Sequence, residues 1–334
     1  MKVFALPALL LGMAISASAE AVSWEELSAH LFTNGPILCQ APTGQLPKSF
    51  WIYKRDLPRI FPAEVITNAM VLSSLQSKGY PKPSTNQTCI LAEPPCPCGN
   101  VCNFFIDPGE ASMNFVSTNY KDGSPAGIPK DNDIAKLAWG YAPALGLEPR
   151  QLVQKSFFTH SFNADKTGKE TTNFVCGRGI FLSRQIDGVA FFAPDDSGDG
   201  AEGFSIEFGG YGQSRSFYFR WSKIERYESQ PTASVGQIVQ CMKSHKTIVL
   251  PNAEEEDYFA RLRKLAKATK WTITKITPCY EEAVFGEVPT NNVPCKFITP
   301  FAELEAVADF GSSNAVFRLV SPIIVSDVNR LLQK

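Results

Sequence analysis

The stretch GRGIFLSRQIDGVAFFAPDDSGDGAEGFSIEFGGYGQSRSFYFRWSKIERY, residues 177–227, decides how the fold is read. Ile180, Leu182 and Ile186 belong to one arm, and Gly188 sits in a turn before Val189–Phe192. Phe204, Ile206 and Phe208 alternate with Ser205 and Glu207, and Phe217, Phe219 and Trp221 alternate with Ser216, Tyr218 and Arg220. Alternation at period two sends one row of side chains to a core and the other towards solvent. The stretch is therefore predicted as a run of paired strands.

Helical patterns lie on both sides. Ile134, Leu137, Ala138, Tyr141 and Ala142 share one face of a helix over 131–142, with Asp131 or Asp133 as its cap. Val235, Ile238, Val239 and Met242 do the same for a helix over 232–244. A third helix is expected over 253–269, followed by strands near 271–281, 295–304 and 315–325. From 131 onward the pattern is a helix and then strands, twice. Further towards the N-terminus, Pro62 opens a helix running to about Ser77. Val101–Ile106 and Met113–Val116 read as two strands joined at Asp107-Pro108-Gly109. The Gly- and Pro-rich run 121–130 marks a boundary.

The expected fold class is α+β: two helix-on-antiparallel-sheet halves, 126–230 and 231–334, preceded by a Cys-rich α+β region, 20–125. Met1-Lys2, the apolar run Phe4–Ile15 and the small-x-small triplet Ala17-Ser18-Ala19 make residues 1–19 a signal peptide. The protein is then expected to be secreted or periplasmic, with no membrane span. A formal charge of −1 gives no footprint for nucleic acid or an anionic membrane. An apolar share of 44% is that of a globular chain, and three histidines leave little material for imidazole chemistry.

All nine cysteines follow the signal peptide, and an oxidising compartment makes disulfides their first reading. Cys89, Cys96, Cys98 and Cys102 are expected to be bonded in a segment with few periodic apolar residues, with their connectivity open. Cys279 and Cys295 flank a polar loop of about 15 residues, and a bond between them is worth ~3 kcal/mol by loop entropy. Cys176 and Cys241 are a further candidate pair, and the odd count leaves one thiol over. Asn86-Gln87-Thr88 is the glycosylation sequon.

The order of "ALGLEP" (144–149), "RGIFLSRQIDGVAFF" (178–192), "FRWSKIERY" (219–227) and "PTASVGQIVQCM" (231–242) resembles extracytoplasmic proteins with tandem PepSY-like halves. Arg184, Asp187, Gly188 and Val189 fit that family's hairpin phrase, while Ala190 stands where a proline is usual. The resemblance covers about residues 130–325. It implies a non-catalytic protein that regulates or inhibits proteases, or senses outside the membrane, with no catalytic residues to carry over.

Motifs for chemistry are few. Asp195, Ser197 and Asp199 before Gly200 imitate the start of a calcium loop, but its twelfth position is Ile206 rather than an acid. Asp196-Ser197-Gly198 matches the aspartic-protease triplet without a second copy. Gly209-Gly210-Tyr211-Gly212 lacks a phosphate-loop lysine and reads as a turn. His30, His160 and His245 stand apart and read as surface or capping residues. No Gly-x-Ser-x-Gly elbow or His-Glu-x-x-His motif is present. The expectation is a secreted, non-catalytic binding or regulatory protein, with a protease or surface protein as partner and without catalytic residues, cofactor or metal. A secreted hydrolase of unrecognised type and a structural surface protein are the alternatives.

Overall fold

A computed structural model describes residues 31–42, 46–75, 82–84, 88–93, 102–117, 126–164, 172–193, 201–250, 263–282 and 297–333. The signal-peptide region, Asn86 and Gln87 of the sequon and the 253–262 part of the third expected helix lie outside them. Fifteen strands and four α-helices are defined among the described residues. The chain forms two compact units, Arg55–Ile224 and Met1–Lys54 with Glu225–Lys334.

In the unit 55–224 the strands are β3 (Cys89–Glu93), β4 (Cys102–Asp107), β5 (Ser112–Ser117), β6 (Leu152–Ala164), β7 (Thr172–Ile186), β8 (Val189–Phe191), β9 (Gly203–Phe208) and β10 (Ser214–Arg220). Their order is β8-β7-β9-β10-β5-β4-β3, with β6 also paired to β7. The ladders are antiparallel. Asp187 and Gly188, at φ +51° and +79°, form the two-residue turn between β7 and β8. Both central residues of such a turn need positive φ, which is why Asp-Gly is favoured there.

Helices α1 (Ala63–Leu72) and α2 (Asp131–Ala144) belong to the same unit. Lys130 rather than an aspartate is the N-cap of α2, while Asp131 and Asp133 lie in its first turn. Carboxylates there still favour the helix dipole. Val65, Ile66 and Ala69 of α1 and Ile134, Ala138 and Ala142 of α2 share a core with Phe104, Phe115, Ile180, Leu182, Phe204, Ile206, Phe217 and Phe219. The ring centroids of Phe115 and Phe217 are 5.7 Å apart.

This core corrects the expected fold class. The chain is β-dominated, and it is not a Cys-rich region followed by two helix-on-sheet halves. Strands β4 and β5 carry their own apolar rows, Phe104–Ile106 and Met113–Phe115, which need a covered face. They obtain it by pairing β5 with β10, Phe115 opposite Phe217 and Met113 opposite Phe219. The stretch expected to precede the sheet is therefore built into it.

The second unit shows the same departure. Its strands are β1 (Ile37–Cys39), β12 (Ile248–Val249), β13 (Lys270–Glu282), β14 (Phe297–Asp309) and β15 (Asn314–Pro322), with most of β2 (Ser49–Asp56) and β11 (Lys223–Pro231). β13, β14 and β15 form an antiparallel meander, and β1 joins β13 in parallel. α3 (Val235–Lys243) opens with a capping box between Ser234 and Gln237, and packs on β1, β15 and α4 (Val325–Leu332). Trp271 is buried between Phe32 and Phe317, at centroid distances of 4.8 and 5.9 Å.

One buried carboxylate holds the entry to β9. Glu202 lies among Arg184, Arg55 and Ser222. Arg184 Nη1 donates to Glu202 Oε2 at 3.0 Å and to the Ser222 carbonyl at 2.7 Å. Arg55 Nη2 stands 3.5 Å from Oε1, and the Ser222 hydroxyl donates to the same oxygen. The Arg184 guanidinium also covers the Trp221 ring at 4.2 Å. Burial pushes the Glu202 carboxyl up, but Arg184, Arg55 and Arg220, with the Ser222 hydroxyl, outweigh it and hold the group below its ordinary value. Nearby Arg59 is lowered to about 10 by burial, against the pull of Glu202, and stays cationic at neutral pH.

Replacing Glu202 by Gln removes the buried counter-charge of these guanidiniums and costs about 3–5 kcal/mol, read by urea denaturation. Because the folded pKa lies below the unfolded one, the stabilisation is complete above about pH 4.3 and is lost as pH falls through the folded value. Wild type therefore loses stability more steeply on acidification below that range than Glu202→Gln does. Parallel acid limbs would contradict the clamp.

Candidate functional site

Three neighbouring strands of the unit 55–224 bring an imidazole, a thiol and a carboxylate together. In the β6–β7 hairpin, Ser161 pairs with Val175 and His160 with Gly177, so Cys176 is the extra residue of a β-bulge. A bulge sets two residues against one and re-aims a side chain that regular pleating would send elsewhere. Here the Cys176 Sγ, a His160 ring nitrogen and a Glu207 carboxylate oxygen all lie within 4.8 Å of one another. Glu207 comes from β9, opposite Gly179 of β7.

The carboxylate of Glu207 is held on both oxygens. Arg215 Nη1 donates to Oε1 at 3.0 Å, and the Ser216 hydroxyl donates to Oε2 at 3.1 Å. His160 Nδ1 is 3.6 Å from Oε2. The Glu207 side chain is 7% exposed and that of His160 is 44% exposed, so the group opens to solvent on the histidine side. The Cys176 thiol is buried and donates to the His160 carbonyl at 3.3 Å. Gly177 makes the room: a Cβ there would stand 1.9 Å from Glu207 Oε1. An imidazole, a thiol and a carboxylate form a mixed N, S and O donor set, and the same three groups can also relay protons.

The residues singled out from sequence fall elsewhere. Asp195, Ser197 and Asp199 of the calcium-like loop lie outside the described residues, as do Cys96, Cys98, Cys295 and Asn86. Cys89 and Cys102 lie on β3 and β4. Cys279 is buried on β13. Cys176 and Cys241, weighed as a pair, fall in different units and carry free thiols. Among the described residues no helix is long and apolar enough to cross a membrane. Gly210–Gly212 is a turn, as expected, with Tyr211 at φ +56°.

His160, expected as a surface residue, is partly exposed and also forms one corner of the group. The expected strands 151–164 and 172–192 carry His160 and Cys176 respectively, but the bulge that turns Cys176 towards His160 left no signal in the sequence. Glu207 had no local mark either. No protein-family model matches this chain, and no curated protein matches it.

Gly177→Ala forces the Glu207 carboxylate away from Arg215 and Ser216, an overpacking cost of about 1–3 kcal/mol. In a Glu207→Ala background the nearest remaining neighbour is Arg215 Nη1 at 3.0 Å, the end of a flexible side chain, and most of that cost disappears. Urea denaturation of the four proteins of this cycle reads the coupling, and additive effects would show that Gly177 does not serve Glu207.

Proposed function

We propose that this is an exported, non-catalytic binding protein that engages and regulates a protein partner, with Tyr211 as a contact residue. Export rests on the charged start, apolar run and cleavage triplet of residues 1–19. The partner class that the sequence resemblance implies is a protease.

The observation that carries this reading is Tyr211. It is 82% exposed and sits at φ +56°, between two glycines in the turn that links β9 to β10. Its amide donates to the Ala126 carbonyl at 3.2 Å, and its ring edge leaves little space at Gly127, where a Cβ would lie at 3.1 Å. A left-handed backbone costs a residue with a Cβ about 1–2 kcal/mol, and a ring this exposed recovers little by packing. Strain of this kind concentrates at ligand clamps, where it aims a side chain. Tyrosine suits the role because its large ring is rigid, amphipathic and enriched at interfaces. Pro129, against Gly212, leads into α2, where Asp133, Lys136, Leu137, Gly140 and Tyr141 line a shallow depression of about 400 Å³.

Tyr211→Gly separates the two roles a residue here can have. Relief of the left-handed strain raises stability by about 1 kcal/mol, measured by urea denaturation. Binding to the partner, captured from the secreted fraction and identified by mass, weakens about 30-fold, equivalent to a hot-spot loss of about 2 kcal/mol. A residue kept for packing would give the opposite result, lower stability with binding unchanged.

A further inference from the structure

We propose that His160, Cys176 and Glu207 form a binding site for a single zinc ion, independent of the Tyr211 surface. The ligand set is imidazole nitrogen, thiolate sulfur and carboxylate oxygen, one from each of three adjacent strands. Hard cations such as calcium and magnesium take oxygen ligands and do not select a thiolate. Copper(I) favours sulfur-rich sites, whereas zinc accepts this mixture and leaves a fourth position for water when the protein supplies three ligands.

The geometry is close to what the ion requires. Tetrahedral zinc, with bonds of about 2.0–2.3 Å, draws its ligand atoms to about 3.3–3.8 Å from one another. The present separations reach no more than 4.8 Å, so the closure needed is about an ångström. His160 can supply it, because its side chain is 44% exposed while Glu207 is held fast. The open histidine side is also the entry path and the place for the fourth, water ligand.

The surroundings resemble an outer shell. Ligating carboxylates in metal sites are themselves hydrogen-bonded and so oriented. Arg215 takes Glu207 Oε1 and the Ser216 hydroxyl steadies Oε2, which leaves Oε2 turned to His160. The Cys176 thiolate and the Glu207 carboxylate neutralise the two charges of zinc, and Arg215, 12% exposed, stays on Glu207 Oε1. Two irregularities of β7 serve the site: the bulge re-aims Cys176, and Gly177 leaves the space that Glu207 Oε1 occupies. On binding, the Cys176 S–H bond is replaced by a sulfur–metal bond and the proton passes to solvent, with nothing oxidised.

Cobalt(II), which takes the same ligands as zinc, reports the site by absorption. The purified protein, kept reduced, is expected to bind one equivalent of cobalt with thiolate-to-metal charge-transfer absorption, which zinc then displaces. Cys176→Ser abolishes that absorption and Cys241→Ser leaves it intact. His160→Gln and Glu207→Gln weaken zinc binding at least about tenfold. Glu207→Gln also disturbs the pair with Arg215, so His160→Gln, at an exposed position, supplies the test that folding does not confound. Absence of the charge-transfer absorption in the wild-type protein, or its survival in Cys176→Ser, overturns the site.

Discussion

The buried Glu202 carboxylate fixes the register of β9, and with it much of the unit 55–224. Taking a carboxylate out of water costs several kcal/mol even after relaxation. The cost is met locally by Arg184, Arg55 and the Ser222 hydroxyl and amide. Those groups come from the end of β2, from β7 and from the exit of β10, so one ionised side chain ties three distant parts of the chain together. The Arg184 amide also donates to the Glu202 carbonyl at 3.1 Å, which sets Gly203 opposite Ser183 and Glu207 opposite Gly179. A slip of one residue would turn Glu207 into the apolar core and Ile206 out of it.

With β9 in register, the features that suit binding arise where the sheet departs from regular pleating. Cys176 is in a bulge, Gly177 replaces a side chain that would occupy the carboxylate's place, and His160 lies on a strand paired on one side only among the described residues. Tyr211 sits in a left-handed turn between β9 and β10. Both regions flank β9, so the clamp at its start positions them together. The unit made of 1–54 and 225–334 is more regular, with a long β13–β14–β15 meander and Trp271 buried between aromatic rings.

Local structure was legible in the sequence to the extent that it rests on neighbouring residues. Alternation located β9 and β10, Asp187-Gly188 marked a hairpin, and helical periodicity located α1, α2 and α3. Pairing between distant strands was not legible. Nothing in Met113–Val116 says that its partner is the strand Ser216–Arg220, because the apolar rows of many strands would serve equally well. The short β1 is parallel to β13 and carries no alternation long enough to reveal it. The Cys-rich stretch looked irregular, yet Cys89–Glu93 completes a ladder with β4. The His160, Cys176 and Glu207 group depended on a bulge, and a bulge leaves no mark in composition or period. Repeated helix-then-strand order therefore suggested two similar halves where long-range pairing builds something else.

Glu202, at the entry to β9, is a register clamp, and Glu207, five positions on, is a metal ligand beside a bulged cysteine. The most direct measurement is a crystallographic anomalous difference map at the zinc absorption edge, from protein crystallised with one equivalent of zinc. The account predicts a single strong peak bonded to a His160 ring nitrogen, Cys176 Sγ and Glu207 Oε2, with Glu202 still enclosed by Arg184 and Arg55. A map with no peak between these residues, or with Cys176 joined to another cysteine, would contradict it.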